Sequence, residues 1–358
     1  MRRILFRAVS WTFLLTCFCR PVLFAETDKT LWSVSSFGSS DYFQQPSDLE
    51  VDRGQSLIYI VDMGSSRILV FDFQGKFLKA IGAKGQGPGE FIRPTGLCLV
   101  KDSGLAVADF GNNRIQIFDK NGTHVRTITP KSTRVAGLLL VDDEFYTVPS
   151  FGASGYSVTL GSEEKTQPLV TVLDDQGEKV REISVPAYPE SQPFIRAIKH
   201  RVCPALSPTG LLFLPHLALN VIHVFELSGK KVGEFTRPLP YKPVVPKLDA
   251  INSPEEGIVQ MRSNHDIITV AARFGPDGNL YLLTRTESLS ERLKSRTDPR
   301  EFPPEPTRLD VIDPQTNRVV RTIPCDPGVK AFGLMDKTRL VYVHEDSEGE
   351  LTLKCVQY

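Results

Sequence analysis

The feature that most limits what this chain can fold into is an internal repeat. Residues 46–75 read PSDLEVDRGQSLIYIVDMGSSRILVFDFQG, and residues 94–122 read PTGLCLVKDSGLAVADFGNNRIQIFDKNG. Pro46 aligns with Pro94, Leu49 with Leu97, Asp62 with Asp109, Arg67 with Arg114, Phe71-Asp72 with Phe118-Asp119, and Gly75 with Gly122. The period is about 47 to 48 residues, a length that among repeat architectures belongs to propeller blades. Each unit holds four short β patterns: an apolar run, a second run with alternation, an R-I-x-x-F-D strand, and a K-x-x-K/R-x-I strand after a turn.

The last two strands recur at 169–183, 221–235 and 308–323, each a hairpin whose turn carries Gly or Asn. The first two recur at 136–148, 204–215, 271–283 and 331–343. Blades therefore fall near 47–83, 95–130, 135–185, 203–236 and 268–325, with a sixth at 330–357 that lacks its outer strand. The segment Thr30-Leu31-Trp32-Ser33-Val34 precedes Pro46 as Phe77-Leu78-Lys79-Ala80-Ile81 precedes Pro94, so it is the expected fourth strand of blade six. The expected fold is all-β: a six-bladed β-propeller of four-stranded antiparallel blades, closed by the N-terminal strand. Such closure removes exposed sheet edges. The 26 glycines and 26 prolines suit so turn-rich a chain.

The connector from Gly82 to Phe91, followed by Arg93-Pro94, resembles the interblade signature of NHL-repeat propellers. Tyr59-Ile60-Val61-Asp62 with Arg67-Ile68, and Ala106-Val107-Ala108-Asp109 with Arg114-Ile115, resemble that family's core. The resemblance is strong in blades one and two and partial elsewhere; blades three, four and six lack the Asp and Arg. It implies a secreted, bacterial-type six-bladed propeller. The glycine run precedes a strand rather than a helix, which excludes a phosphate-binding loop. Asp62 with Arg67, and Asp109 with Arg114, are expected to be loop-bracing pairs across a short turn.

Propellers host binding proteins, lyases and hydrolases alike, so function has to be argued from the site. No serine sits in a nucleophile elbow, no cysteine has a recognisable histidine partner, and no H-E-x-x-H occurs. The inner strands are mostly apolar; Asp48, Glu50 and Arg273 are their only charges. His216 and His344 end second strands two blades apart, too far to share zinc bonds of about 2 Å. No catalytic residue, metal ligand or cofactor is therefore expected. The alternative is a propeller lyase or hydrolase, lactonase-like or amidating-lyase-like, with a divalent metal at the axial channel.

Four insertions, 150–167, 184–202, 236–267 and 286–306, all emerge on one face above blades three to five. Loops on a rigid scaffold are where binding concentrates. Candidate ligand-binding residues on that face are Arg93, Arg134, Tyr156, Arg196, His200, Arg201, Tyr241 and Arg285. They predict a cationic cluster for a protein or an acidic glycan, because arginine binds carboxylates bidentately. Residues 289–294 (LSERLK) predict one or two helical turns in a lid.

Arg2, Arg3 and Arg7 precede an apolar run of 12 residues, Ala8 to Cys19, which reads as a secretory signal peptide over residues 1–25. Thr16 fits a lipoprotein box poorly, so a lipid anchor is not expected. The propeller then occupies residues 26–358, secreted or periplasmic, with no integral membrane span. The whole chain has 42 basic and 42 acidic residues. Removing the leader takes four arginines and no acid, so the mature chain is net acidic and nucleic acid is not an expected partner. Four cysteines remain: Cys98, Cys203, Cys325 and Cys355. Their spacing matches no zinc motif, and pairing of Cys325 with Cys355 is left open.

Overall fold

Runs such as Leu57–Asp62 and Arg67–Asp72 are apolar at nearly every position because both of their faces are buried. In blade one, Ile58, Ile60, Leu69 and Phe71 pack toward blade six. The intervening Tyr59, Val61, Ile68 and Val70 pack toward blade two. Period-two alternation in each strand thus feeds two interblade cores at once.

A computed structural model describes residues 29–148, 168–185, 198–199, 201–244, 247–252, 259–294 and 304–358. It shows six four-stranded antiparallel sheets. Blade one comprises Pro46–Asp52, Leu57–Asp62, Arg67–Asp72 and Phe77–Ile81. The inner strands of blades two to six are Pro94–Val100, Gly137–Val141, Ala205–Leu206, Thr269–Phe274 and Val329–Leu334.

The expected closure is borne out. Strand Lys29–Val34 pairs antiparallel with Leu351–Gln357, setting Thr30 opposite Val356 and Val34 opposite Leu353. Trp32 secures the seam by donating its indole N–H to the Phe73 carbonyl of blade one at 3.0 Å. Gly75 lies beneath that ring with φ +79°, and a Cβ there would stand 2.6 Å from the indole. Both the turn and the tryptophan therefore require glycine.

The outer turns share one device. Asp72 Oδ1 accepts the N–H groups of Gln74 and Lys76, both at 2.9 Å. Asp119 does the same for Asn121 and Thr123, and Asp174 for Gln176 and Glu178. A short carboxylate that satisfies two turn amides fixes the hairpin without tertiary help.

The four cysteines among the described residues are free thiols, so Cys325 and Cys355 do not pair. The Cys355 Sγ instead lies 3.5 Å from the Met335 sulfur, inside the core between blades six and one. The proposed leader, residues 1–25, lies outside the described residues.

Candidate binding face

First and third strands run away from one face of the disc, and second and fourth strands return to it. Second-to-third and interblade connections therefore share that face. The insertions emerge there. Of these, the structure describes a hairpin, Lys247–Asn252 with Val259–Asn264, and a short helix, Leu289–Lys294. The helix begins at a capping box: Ser288 Oγ accepts the Glu291 N–H at 3.1 Å, and Glu291 accepts the Ser288 N–H at 3.0 Å. Buried Asp266 ties both insertions down, accepting N–H groups from Val244 at 2.6 Å and Leu289 at 2.5 Å.

Beside this scaffold the channel mouth widens into a cavity of about 610 Å³. Its polar lining includes Gln44, Gln45, Ser47, Thr95, Arg285, Glu305, Lys330 and Glu345, and its apolar lining Met63, Val270 and Val329. These residues come from blades one, two, five and six. Arg285 ion-pairs with Glu305, which also holds Arg292 at 2.6 Å. Burial draws the Arg285 pKa down while Glu305 opposes it. Lys330 pairs with Glu345 at 2.5 Å. Tyr241 lies in the fields of Asp266 and Arg285, and its hydroxyl is pushed up to about 12, chiefly by burial. That hydroxyl is buried with no hydrogen-bond partner among the described residues.

The other predicted residues divide. Arg93 is exposed and has no ion pair among the described residues. Its nearest acidic neighbour in sequence, Glu90, is occupied by the Gly87 N–H at 2.8 Å. Arg134 is also exposed, and its guanidinium lies 4.6 Å from the centre of the Phe110 ring. Arg201 differs from expectation. It is buried, and its backbone N–H bonds the Ile198 carbonyl at 3.3 Å, so it is not a surface cation. Arg285 likewise is not a free charge, being paired with Glu305. Tyr156, Arg196 and His200 lie outside the described residues.

The repeated Asp and Arg brace connectors, but of the two expected pairs only that of blade two forms. Arg114 Nε stands 2.7 Å from Asp109, and its other nitrogens donate to the carbonyls of Gln86, Gly87 and Glu90, each at 2.8 Å. In blade one, Arg67 turns to Asp41 instead, as a bidentate pair at 2.5 and 2.7 Å. Asp62 is left to accept the Gln45 N–H at 2.7 Å and the Ser65 hydroxyl at 2.5 Å. Strand register does set Asp62 opposite Arg67. The extra hairpin strand Asp41–Tyr42 supplies the competing carboxylate.

His216 and His344 belong to separate networks. The His216 Nδ1 lies 2.6 Å from the Lys199 carbonyl, and its ring packs edge-on against His223 at 5.0 Å. His344 lies 3.6 Å from Asp326.

One buried cluster carries no repeat signature. Arg237, at the root of the third insertion, donates to Asp310 at 3.1 Å and to the hydroxyls of Thr269 and Thr284 at 2.9 and 3.1 Å. Its signal is positional. The third-strand residue three positions before the acid of the outer turn (Asp119, Asp174, Glu226, Asp313) is polar and buried in four blades: Gln116, Thr171, His223 and Asp310. In blade one the same place holds Leu69.

These sheets and their closure define a six-bladed β-propeller. A sequence-family profile described as a 6-bladed beta-propeller matches residues 40–192. The fold is similar to that of a DUF4221-family member from Bacteroides vulgatus, with a TM-score of 0.59 at 10% identity, over 92% of this chain and 98% of that one. It is also similar to virginiamycin B lyase from Staphylococcus aureus, with a TM-score of 0.50 at 12% identity, over 91% and 99%. At such identities the likeness is one of fold. No curated protein sequence matches the chain.

Proposed function

We propose that this propeller is an exported, non-catalytic binding module that takes a protein or acidic glycan through its loop-elaborated face. The observation that carries the reading is the mouth cavity of about 610 Å³ on that face, whose lining mixes polar and apolar side chains. Exposed Arg93 and Arg134 enter the same face from the connectors preceding blades two and three. The basic, apolar leader supports export, and the Gly82-to-Phe91 connector supports the NHL type of repeat.

The test is an acidic-glycan array probed with wild type and with the double variant Arg93→Ala, Arg134→Ala. Binding should weaken about ten-fold, equivalent to about 1.4 kcal/mol, with the melting temperature nearly unchanged. No acidic glycan bound by wild type, or equal binding by the variant, overturns the acidic-glycan reading. Metal analysis of the purified protein addresses the alternative: a stoichiometric, tightly held divalent ion favours a lyase or hydrolase.

A further inference from the structure

Below the mouth, the axial channel holds a charge imbalance. The inner strands of all six blades surround a cavity of about 190 Å³, smaller than a pocket for a drug-sized ligand. Leu97, Leu138, Ala272, Phe274 and Phe332 give it largely apolar walls. Asp48 and Glu50 of blade one and Arg273 of blade five supply its charge. Lys330 reaches the cavity too, but its ammonium is held by Glu345.

One guanidinium therefore faces two carboxyl groups, and Asp48 takes it. Arg273 Nη2 donates to Asp48 Oδ1 at 2.5 Å, while Asp48 Oδ2 accepts the Leu97 N–H at 3.1 Å. Glu50 Oε2 is 3.8 Å from Arg273 Nε, beyond hydrogen-bond reach. Among the described residues its other oxygen accepts only the adjacent Val51 N–H, at 3.3 Å. The Arg273 Nε is itself buried and has no hydrogen-bond partner among the described residues. Burial pushes the Glu50 carboxyl pKa up and Asp48 adds to the rise, with Arg273 and Arg53 opposing. An acid so placed ionises at a cost that an arriving cation offsets.

We propose that this cavity is a subsite for a primary ammonium group carried on a short aliphatic chain, with Glu50 as its carboxylate partner. The apolar walls take the methylenes, and a charge-assisted N–H···O contact takes the head. A hard divalent cation fits worse, because it takes about six or more oxygen ligands and Asp48 is already committed. Entry is from the mouth, since Ser47 and Lys330 line both cavities. Nothing in this subsite depends on what the mouth binds.

Isothermal titration with n-butylammonium chloride, beside the neutral analogue 1-butanol, tests the proposal. Wild type should bind the ammonium and not the alcohol, and Glu50→Gln should weaken the ammonium about ten-fold or more. Ala271→Leu narrows the cavity while leaving Glu50 intact, and should weaken binding as well; it serves alone if Glu50→Gln fails to fold. No ammonium binding, equal binding of 1-butanol, or unchanged binding in the variants overturns the subsite.

Discussion

Blades two and five anchor an incoming connector over the same strand position by opposite chemistry. In blade two the connector is short and glycine-rich, and it offers only backbone groups. Gln116 and Asp109 accept its Gly89 and Ile92 N–H groups, both at 2.8 Å, and Arg114 gathers its carbonyls. In blade five the connector carries the 236–267 insertion, and a side chain of its own anchors the root: Arg237 reaches a carboxylate that is 0% exposed. A tight connector can be held by its own peptide groups. A connector about to depart into a long loop needs a single strong post at its root, and a buried charge pair provides one.

Breaking the post should therefore cost most. Arg237→Ala leaves the buried Asp310 carboxylate with Arg308, 2.8 Å away, as its remaining guanidinium, and urea unfolding should show a loss of up to about 3 kcal/mol. Arg237→Met with Asp310→Leu should recover much of that, because the charge left without its partner, Arg308, is partly exposed to water. A double variant as weak as Arg237→Ala would mean that packing, not charge, holds the root.

Arg114→Ala removes the clamp on the short connector but leaves its N–H contacts to Asp109 and Gln116. The expected loss is smaller, about 1–2 kcal/mol. Hydrogen exchange should quicken at Gly87 to Glu90 and stay unchanged at Arg237. Equal quickening at both sites would erase the distinction between the two anchors.

Blade four offers a third occupant of the position, His223. Burial lowers its pKa from 6.5 to about 4, with Lys231 assisting and Glu234, 3.3 Å away, opposing. The folded state thus keeps this imidazole neutral where the unfolded chain takes up a proton. Its contribution is full above pH about 6.5 and is lost as the pH falls toward about 4. His223→Leu should flatten that part of the stability-versus-pH curve, and parallel curves would remove His223 as the source.

Blade one gives the smallest effect. The Arg67–Asp41 pair is partly exposed, with side chains 20% and 37% accessible. Asp41→Asn should cost about 0–1 kcal/mol in thermal melts at low salt, and less at high salt. A loss as large as that of Arg114→Ala would mean that blade one relies on the pair as blade two relies on its own.

Much of the fold was legible because its causes are local. The period of Pro46 and Pro94, the apolar strand runs and the Asp-x-x-Gly turns are encoded within single blades. The strand-like Thr30-Leu31-Trp32 supplied the one piece blade six lacked. The site was less legible. Arg93 and Arg134 could be placed on the correct face from connector order alone, but nothing in the residues around Arg201 reveals its burial.

Blade number, strand order and closure were thus determined by the sequence itself, since each rests on hydrophobic periodicity and turn chemistry over a few residues. Tertiary structure alone decided which partner each charge takes. Asp41 draws Arg67 away from Asp62 because an extra hairpin lies over blade one. Arg273 meets Asp48 across 225 positions of chain because ring closure brings blades five and one to a common axis. Charge pairing depends on distance in space and on exclusion of water, and neither exists until the ring has closed.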